Sequence, residues 1–155
     1  MSRPVPRPFS LLAEITHRCP LHCPYCSNPL QLATHANELT TDEWKRVLRE
    51  ASDLGVLHVG FSGGEPLQRS DLAQLVAAAR EAGLYTNLIT SSLGLNPQRL
   101  EDLKRAGLDS IQISFQSDQE PLADRIAGVS AHGIKLKAAQ MKWESALGSL
   151  VVSNA

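Results

Sequence analysis

GVLHVGFSGGEP, residues 55–66, decides how this chain is read. A glycine opens it, an apolar run follows, and a polar turn with two more glycines closes it. The opening recurs as GLYTNLIT at residues 83–90 and as GLDSIQIS at residues 107–114. Each leading glycine follows an amphipathic stretch, the place where a helix ends in a left-handed residue. The first of these stretches starts at Thr40, with Glu43 three residues on, which is the pattern of a capping box. Its Trp44, Val47, Leu48, Ala51 and Leu54 share one face at helical spacing. The second starts near Ser70, with Leu72, Leu75, Val76 and Ala79 as its apolar stripe. The third opens with Asn96 as cap and Pro97 at the first helical position. These stripes are expected to be core.

Outward from these repeats, an earlier strand is expected over Phe9–Ile15. A last unit is expected as a helix around Ile134–Leu147 and then a strand led by Gly148. The alternation predicts an α/β fold with about five parallel strands, right-handed crossovers and helices on the outer face. A closed eight-stranded barrel takes about 200 residues or more, so 155 residues predict an open partial barrel. Ligands of such folds gather where strands end. The cysteine loop follows the first strand, Ser62–Pro66 the second, Thr90–Ser92 the third and Ser114–Gln116 the fourth. That rim is the expected active site.

The composition is 43% apolar and 20% charged with a net charge of −1. It provides no electrostatic footprint for nucleic acid or an anionic membrane. No apolar run approaches the roughly 20 residues of a bilayer span. The start, MSRPVPRPF, is proline-rich and lacks the apolar centre of a signal peptide, so a cytoplasmic protein is expected. In that reducing setting the three cysteines, Cys19, Cys23 and Cys26, point to metal binding or catalysis rather than disulfides. Three readings compete. An iron–sulfur cluster on three thiolates leaves one iron open. Zinc would take His17 or His22 as its fourth ligand. Inert buried thiols fit poorly with a loop that also holds Pro20 and Pro24.

C-x₃-C-x-Y-C in the first β/α loop, followed by GGEP after the second strand, resembles the radical S-adenosylmethionine superfamily. The resemblance implies that Cys19, Cys23 and Cys26 hold a [4Fe–4S] cluster, and that S-adenosylmethionine chelates the open iron through its amino and carboxylate groups. One electron then splits the sulfonium, and a 5′-deoxyadenosyl radical takes hydrogen from the substrate. By the same likeness Tyr25 borders the adenine, and Gly63 and Gly64 let backbone approach the ligand. Glu65 lies near the methionine ammonium. Thr90 and Ser114 match positions that bind the methionine carboxylate or the ribose, and Gln116 is a further ribose candidate. A plain turn, a surface charge and loop hydrogen bonding are the ordinary alternatives for these residues. His58, Asn87 and His132 are read as packing or surface residues.

A narrower likeness runs over about residues 8–141. ELTTDEW (38–44), VGFSGGEP (59–66), GLYTNLITS (83–91), QISFQ (112–116) and DRIAG (124–128) resemble the peptide cyclases of pyrroloquinoline quinone biosynthesis. That family implies an oxidoreductase joining a glutamate side-chain carbon to a tyrosine ring carbon in a ribosomal precursor peptide. A small peptide-binding chaperone would present the peptide, and an electron donor protein would supply the reductant. Another radical peptide maturase with the same N-terminal half is the neighbouring reading. Family members are more than twice as long and carry a C-terminal domain with auxiliary clusters. This chain is therefore expected to be a truncated N-terminal portion, able to cleave S-adenosylmethionine without completing the coupling. Residues 142–155 depart from the family pattern, as a frameshifted reading would.

Overall fold

In the computed structural model, which describes residues 6–26, 38–144 and 149–154, caps and left-handed glycines delimit the elements. Strand β1 (Ser10–Thr16) precedes helix α1 (Thr41–Asp53), and β2 (His58–Gly63) precedes α2 (Leu72–Glu81). Then come β3 (Tyr85–Thr90), α3 (Pro97–Arg105), β4 (Ser110–Phe115), α4 (Glu120–Ala127), α5 (His132–Glu144) and β5 (Ser149–Asn154). The Thr40 side chain accepts the Glu43 N–H, and the Glu43 carboxylate accepts the Thr40 N–H at 2.8 Å, closing the capping box. The Asn96 side chain accepts the Arg99 N–H at 2.8 Å, and Pro97 follows it. Gly55, Gly83 and Gly107 sit at φ 96°, 80° and 98°, so each helix stops there and the chain turns into the next strand.

The five strands lie in the order β1-β2-β3-β4-β5, and every neighbouring pair is parallel. In a sheet laid down in chain order every crossover steps the same way. Right-handed crossovers then place the helices on one face, which makes this an open section of a β/α barrel and not a doubly wound sheet. Pairing brings Ala13, Phe61, Leu88 and Ile111 into one row across four strands. All four are buried and share a core with Leu48, Leu72, Leu75 and Leu103.

Several details differ from expectation. Leu54 is 62% exposed, because α1 has already ended and Leu54 is its cap residue. Helix α2, expected near Ser70, has Asp71 as its cap and opens at Leu72. Helix α4 and a single 3₁₀ turn at Pro66–Gln68 were not expected from the sequence. Strand β1 starts and ends one residue later than predicted, and α5 starts two residues earlier. Leu147 and Gly148 lie outside the described residues. Strand β5 pairs with β4 from Ser110–Ser149 to Phe115–Asn154. Among the described residues no helix is long and apolar enough to cross a membrane.

Candidate active site

The site begins where β1 and β2 end together. Their register slips between Glu14 and Thr16, opposite Ser62 and Gly63. Beyond the slip, Gly64 N–H donates to the Thr16 carbonyl and Glu65 N–H to the Arg18 carbonyl, both at 2.7 Å. A Cβ on Gly63 would stand 2.3 Å from the Thr16 carbonyl oxygen, and one on Gly64 2.3 Å from that of Arg18. Only glycine lets the two loops meet this closely. The close approach that the pair demonstrably serves is therefore backbone to backbone.

A second support lies under the cysteine loop. His22 N–H donates to the Ala127 carbonyl at 2.9 Å. Leu21 packs with Ala127 and Ala131, and Cys19 and Cys23 lean on that small cluster. Gly128, left-handed at φ 72°, ends α4 beneath His22, where a Cβ would come within 3.0 Å of the His22 Cβ. Ala127, Gly128 and Ala131 thus form a seat for the loop.

The four strand ends enclose a cleft of about 180 Å³. Cys19, Leu21, Cys23, Tyr25 and Cys26 line it from the first loop, and Ser62, Gly63 and Gly64 from the second. Ile89, Thr90 and Ser91 line it from the third, and Ser114 and Gln116 from the fourth. Every site residue predicted from the sequence is brought to this cleft except Glu65. Leu21 and Ile89 were not predicted, and Ser62 and Ser91 were expected on the rim without an assigned role.

Glu65 lies beneath the cleft, fully buried. Its Oε1 accepts from Thr90 Oγ1 at 2.6 Å and from Leu67 N–H at 3.1 Å. Its Oε2 accepts from Ser91 N–H at 2.8 Å and from the Ser91 hydroxyl. Burial pushes the carboxyl above its ordinary range, and these four donors oppose that shift. The Thr90 hydroxyl also accepts from Ser92 N–H at 2.8 Å. Its proton is committed to Glu65, so toward a ligand it has only acceptor capacity to offer. Ser92 itself sits at φ 64°, a strained conformation for a non-glycine residue.

The sequence reading also missed Lys135. It is 1% exposed, and its ammonium donates to the Ser114 carbonyl at 2.9 Å and to Gln116 Oε1. Burial pushes its pKa down, and the nearby Cys23 and Glu65 push it back up. His132, read as packing, is buried edge-on against Phe115 at 5.8 Å. His58 is half-buried and stacks on Tyr85 at 5.7 Å, and buried Asn87 accepts from the Ser110 hydroxyl at 2.8 Å.

The donor set suits an iron–sulfur cluster. None of the three cysteines is in a disulfide; Cys19 and Cys23 are half-buried and Cys26 is exposed, and all line one cleft. Burial raises the Cys19 and Cys23 thiols; neighbouring negative charge adds to the rise at Cys19, while the Lys135 ammonium opposes it at Cys23. Thiolates crowded in this way are stabilised by a cationic metal centre. Among the described residues, no three His, Cys, Asp or Glu side chains are disposed around a single metal ion.

Residues 13–139 match the Radical SAM superfamily, and the chain belongs to that family. Membership implies a [4Fe–4S] cluster and S-adenosylmethionine as cofactors. A PqqA peptide cyclase of Bradyrhizobium diazoefficiens is 56% identical over 149 residues, which are 96% of this chain and 39% of that protein. A PqqA peptide cyclase of Ruegeria pomeroyi is 60% identical over 124 residues, 80% of this chain and 33% of that protein. The chain thus spans well under half the length of these relatives. Streptococcus suis SuiB, solved bound to its precursor peptide SuiA, superposes with a TM-score of 0.81 at 25% identity, covering 95% of this chain and 33% of SuiB. The S-adenosylmethionine-bound form of SuiB superposes at 0.77 and 26% identity, over 95% and 32% of the two chains.

Proposed function

We propose that this chain is the cofactor-binding portion of a radical peptide cyclase of pyrroloquinoline quinone biosynthesis. Its whole-enzyme reaction joins glutamate to tyrosine through a carbon–carbon bond in a ribosomal precursor peptide. The observation that carries this reading is the single cleft into which four consecutive strand ends bring Cys19, Cys23, Cys26, Tyr25, Gly63, Gly64, Thr90, Ser114 and Gln116. The kinship with PqqA peptide cyclases supports the substrate class. A peptide-presenting chaperone and an electron donor protein belong to the same proposal.

When bound, the cluster and S-adenosylmethionine supply one-electron cleavage of the sulfonium. Cys19, Cys23 and Cys26 would hold the cluster, each as a thiolate. Tyr25, half exposed at the mouth, would cover the adenine, and Ser114 and Gln116 would take the ribose or carboxylate. Lys135 fixes the Gln116 side chain and the Ser114 carbonyl from behind. Glu65 acts from below: it orients Thr90 and Ser91, and any effect on the methionine ammonium passes through that layer. The buried apolar floor shields the cleft from water on the helix side.

Anaerobic reconstitution of the 155-residue chain tests the reading. Roughly four irons and four sulfides per chain are expected, with an electron paramagnetic resonance spectrum that changes on adding S-adenosylmethionine. Adding reductant should then yield 5′-deoxyadenosine. Stoichiometric zinc with indifference to S-adenosylmethionine refutes it, as does a cluster that survives Cys23→Ala.

A further inference from the structure

The cysteine loop leaves the sheet at Thr16 and rejoins the described chain at Glu38, and two side chains outside the cleft tie those ends together. Glu38 Oε1 accepts from Thr16 Oγ1 at 2.8 Å and from His17 N–H at 2.9 Å. Its Oε2 lies 3.9 Å from the Arg18 guanidinium. Arg69 reaches in from the end of the 3₁₀ turn. Its Nη1 donates to the Ile15 carbonyl at 2.9 Å and to the Leu39 carbonyl at 3.0 Å. One guanidinium nitrogen therefore bonds the last residues before the loop and the first after it.

Arg69 is itself held. Its Nε and Nη2 donate to the two oxygens of Asp71 at 2.8 and 2.6 Å, and Thr41 Oγ1 donates to Asp71 Oδ2 at 2.6 Å. The Arg69 carbonyl accepts from Arg99 Nη2 at 2.6 Å. The side chains of Glu38, Arg69 and Asp71 are 8%, 10% and 15% exposed. Neither Glu38 nor Arg69 lines the cleft. An ion pair serving only the stability of α2 would not place two further bonds on the two ends of another loop.

We propose that Glu38 and Arg69 form a clasp that closes the base of the cysteine loop and thereby fixes the spacing of its thiols. They are positioning residues and touch no ligand. Closing a long loop is entropically costly, and the clasp meets part of that cost before any cofactor arrives. The cluster readout below rests on the function proposed above; the exchange readout does not.

The test compares the 155-residue chain with Arg69→Gln, Arg69→Lys and Glu38→Ala, with Arg80→Gln as a control at a surface ion pair remote from the loop. Amide hydrogen exchange is followed in the apo chain. Arg69→Gln and Glu38→Ala should speed exchange at His17, Arg18 and the flanking loop amides about tenfold or more, the factor carried by one lost charge-assisted hydrogen bond. Protection of β3 and β4 should be unchanged, and Arg69→Lys should recover part of the effect. After reconstitution, the same two variants should lose iron to a chelator at least several-fold faster, with a spectrum broadened relative to the parent. Unchanged loop exchange overturns the clasp. So does a uniform loss of protection across the sheet, which would make the role purely structural. If the parent takes up no cluster, the proposed function fails while exchange still decides the clasp. If Arg69→Gln does not fold, Glu38→Ala, at the loop end and outside the core, decides it alone.

Discussion

Asp71→Asn isolates the electrostatic part of the network that anchors Arg69. The Asp71 carboxyl is held at about 2 against an ordinary 3.8, chiefly by its hydrogen bonds from Arg69. At about 1.4 kcal/mol per tenfold change in proton affinity, that displacement stabilises the folded chain by about 2 kcal/mol at neutral pH. Solvent screening removes little of it, since the two side chains are only 10% and 15% exposed. The sign follows from linkage. A carboxyl depressed in the folded state binds fewer protons there than when unfolded. Its contribution is complete above the unfolded value of 3.8 and fades as pH falls toward 2. Asp71 also caps α2 without a side-chain cap bond, and its charge near that helix start adds about 0.3–1 kcal/mol with the same pH sense.

Urea unfolding of parent and Asp71→Asn, from neutral pH down to acid, measures the difference directly. At a slope of about 2 kcal/mol per molar, the parent midpoint should lie about 1 M higher at neutral pH, and the gap should close through the acid window. A double-mutant cycle with Arg69→Gln should assign most of the difference to the pair. A gap that stays constant down to acid pH, or one below about 0.5 kcal/mol at neutrality, refutes the reasoning.

Glu65 should give the opposite slope. Its carboxyl is raised by burial, so the folded chain binds the extra proton, and stability falls as pH rises above the unfolded value of 4.5. Thermal melts of Glu65→Gln should lack that decline, and an identical decline in the variant would contradict it. Gly64→Ala puts a methyl 2.3 Å from the Arg18 carbonyl, with only backbone to yield. A loss of about 3 kcal/mol is expected, lowering the melting temperature by about 6–12 °C, and unchanged melting would mean the loops do not meet as described. Ser92→Gly removes a left-handed strain of about 1–2 kcal/mol and a buried hydroxyl with no partner. Against a glycine entropy cost of about 0.5–1 kcal/mol, melting should rise by a few degrees, and a fall would show that the hydroxyl is needed.

What could be read from the sequence was local. The Thr40–Glu43 box, the Asn96–Pro97 start and the three glycines at helix ends act within a turn of chain, so their residues announce them. The rim could be read because parallel β/α topology sends every strand end the same way. For Glu65 the sequence located the residue at the strand end but not its buried surroundings. Nothing in GGEP tells which way a carboxylate turns, and only packing shows that Thr90 and Ser91 hold it beneath the cleft. Helix α5 misleads by pattern: Ile134 and Leu136 are 46% and 48% exposed, while Lys135 between them is 1% exposed. Its buried position is set by the polar carbonyl and amide at the end of β4, which apolar periodicity does not register. Helix α4 is short and buries only Ala123 and Ala127, too small a stripe to stand out.

The supports of the cysteine loop bear on how the chemistry divides. Gly63 and Gly64 grip Thr16 and Arg18 by backbone, Ala127 and Gly128 seat His22, and Glu38 with Arg69 joins the loop's two ends. Each of these contacts lies within residues 13–139, the span that matches the family. None draws on the part of the longer relatives that this chain does not span. The described supports of the three thiols thus lie within the β/α section, and under the proposed function they would serve the cofactor rather than the peptide. Cluster retention and cleavage of S-adenosylmethionine should accordingly respond to changes at Gly64, Gly128 and Arg69 whether or not a peptide is present.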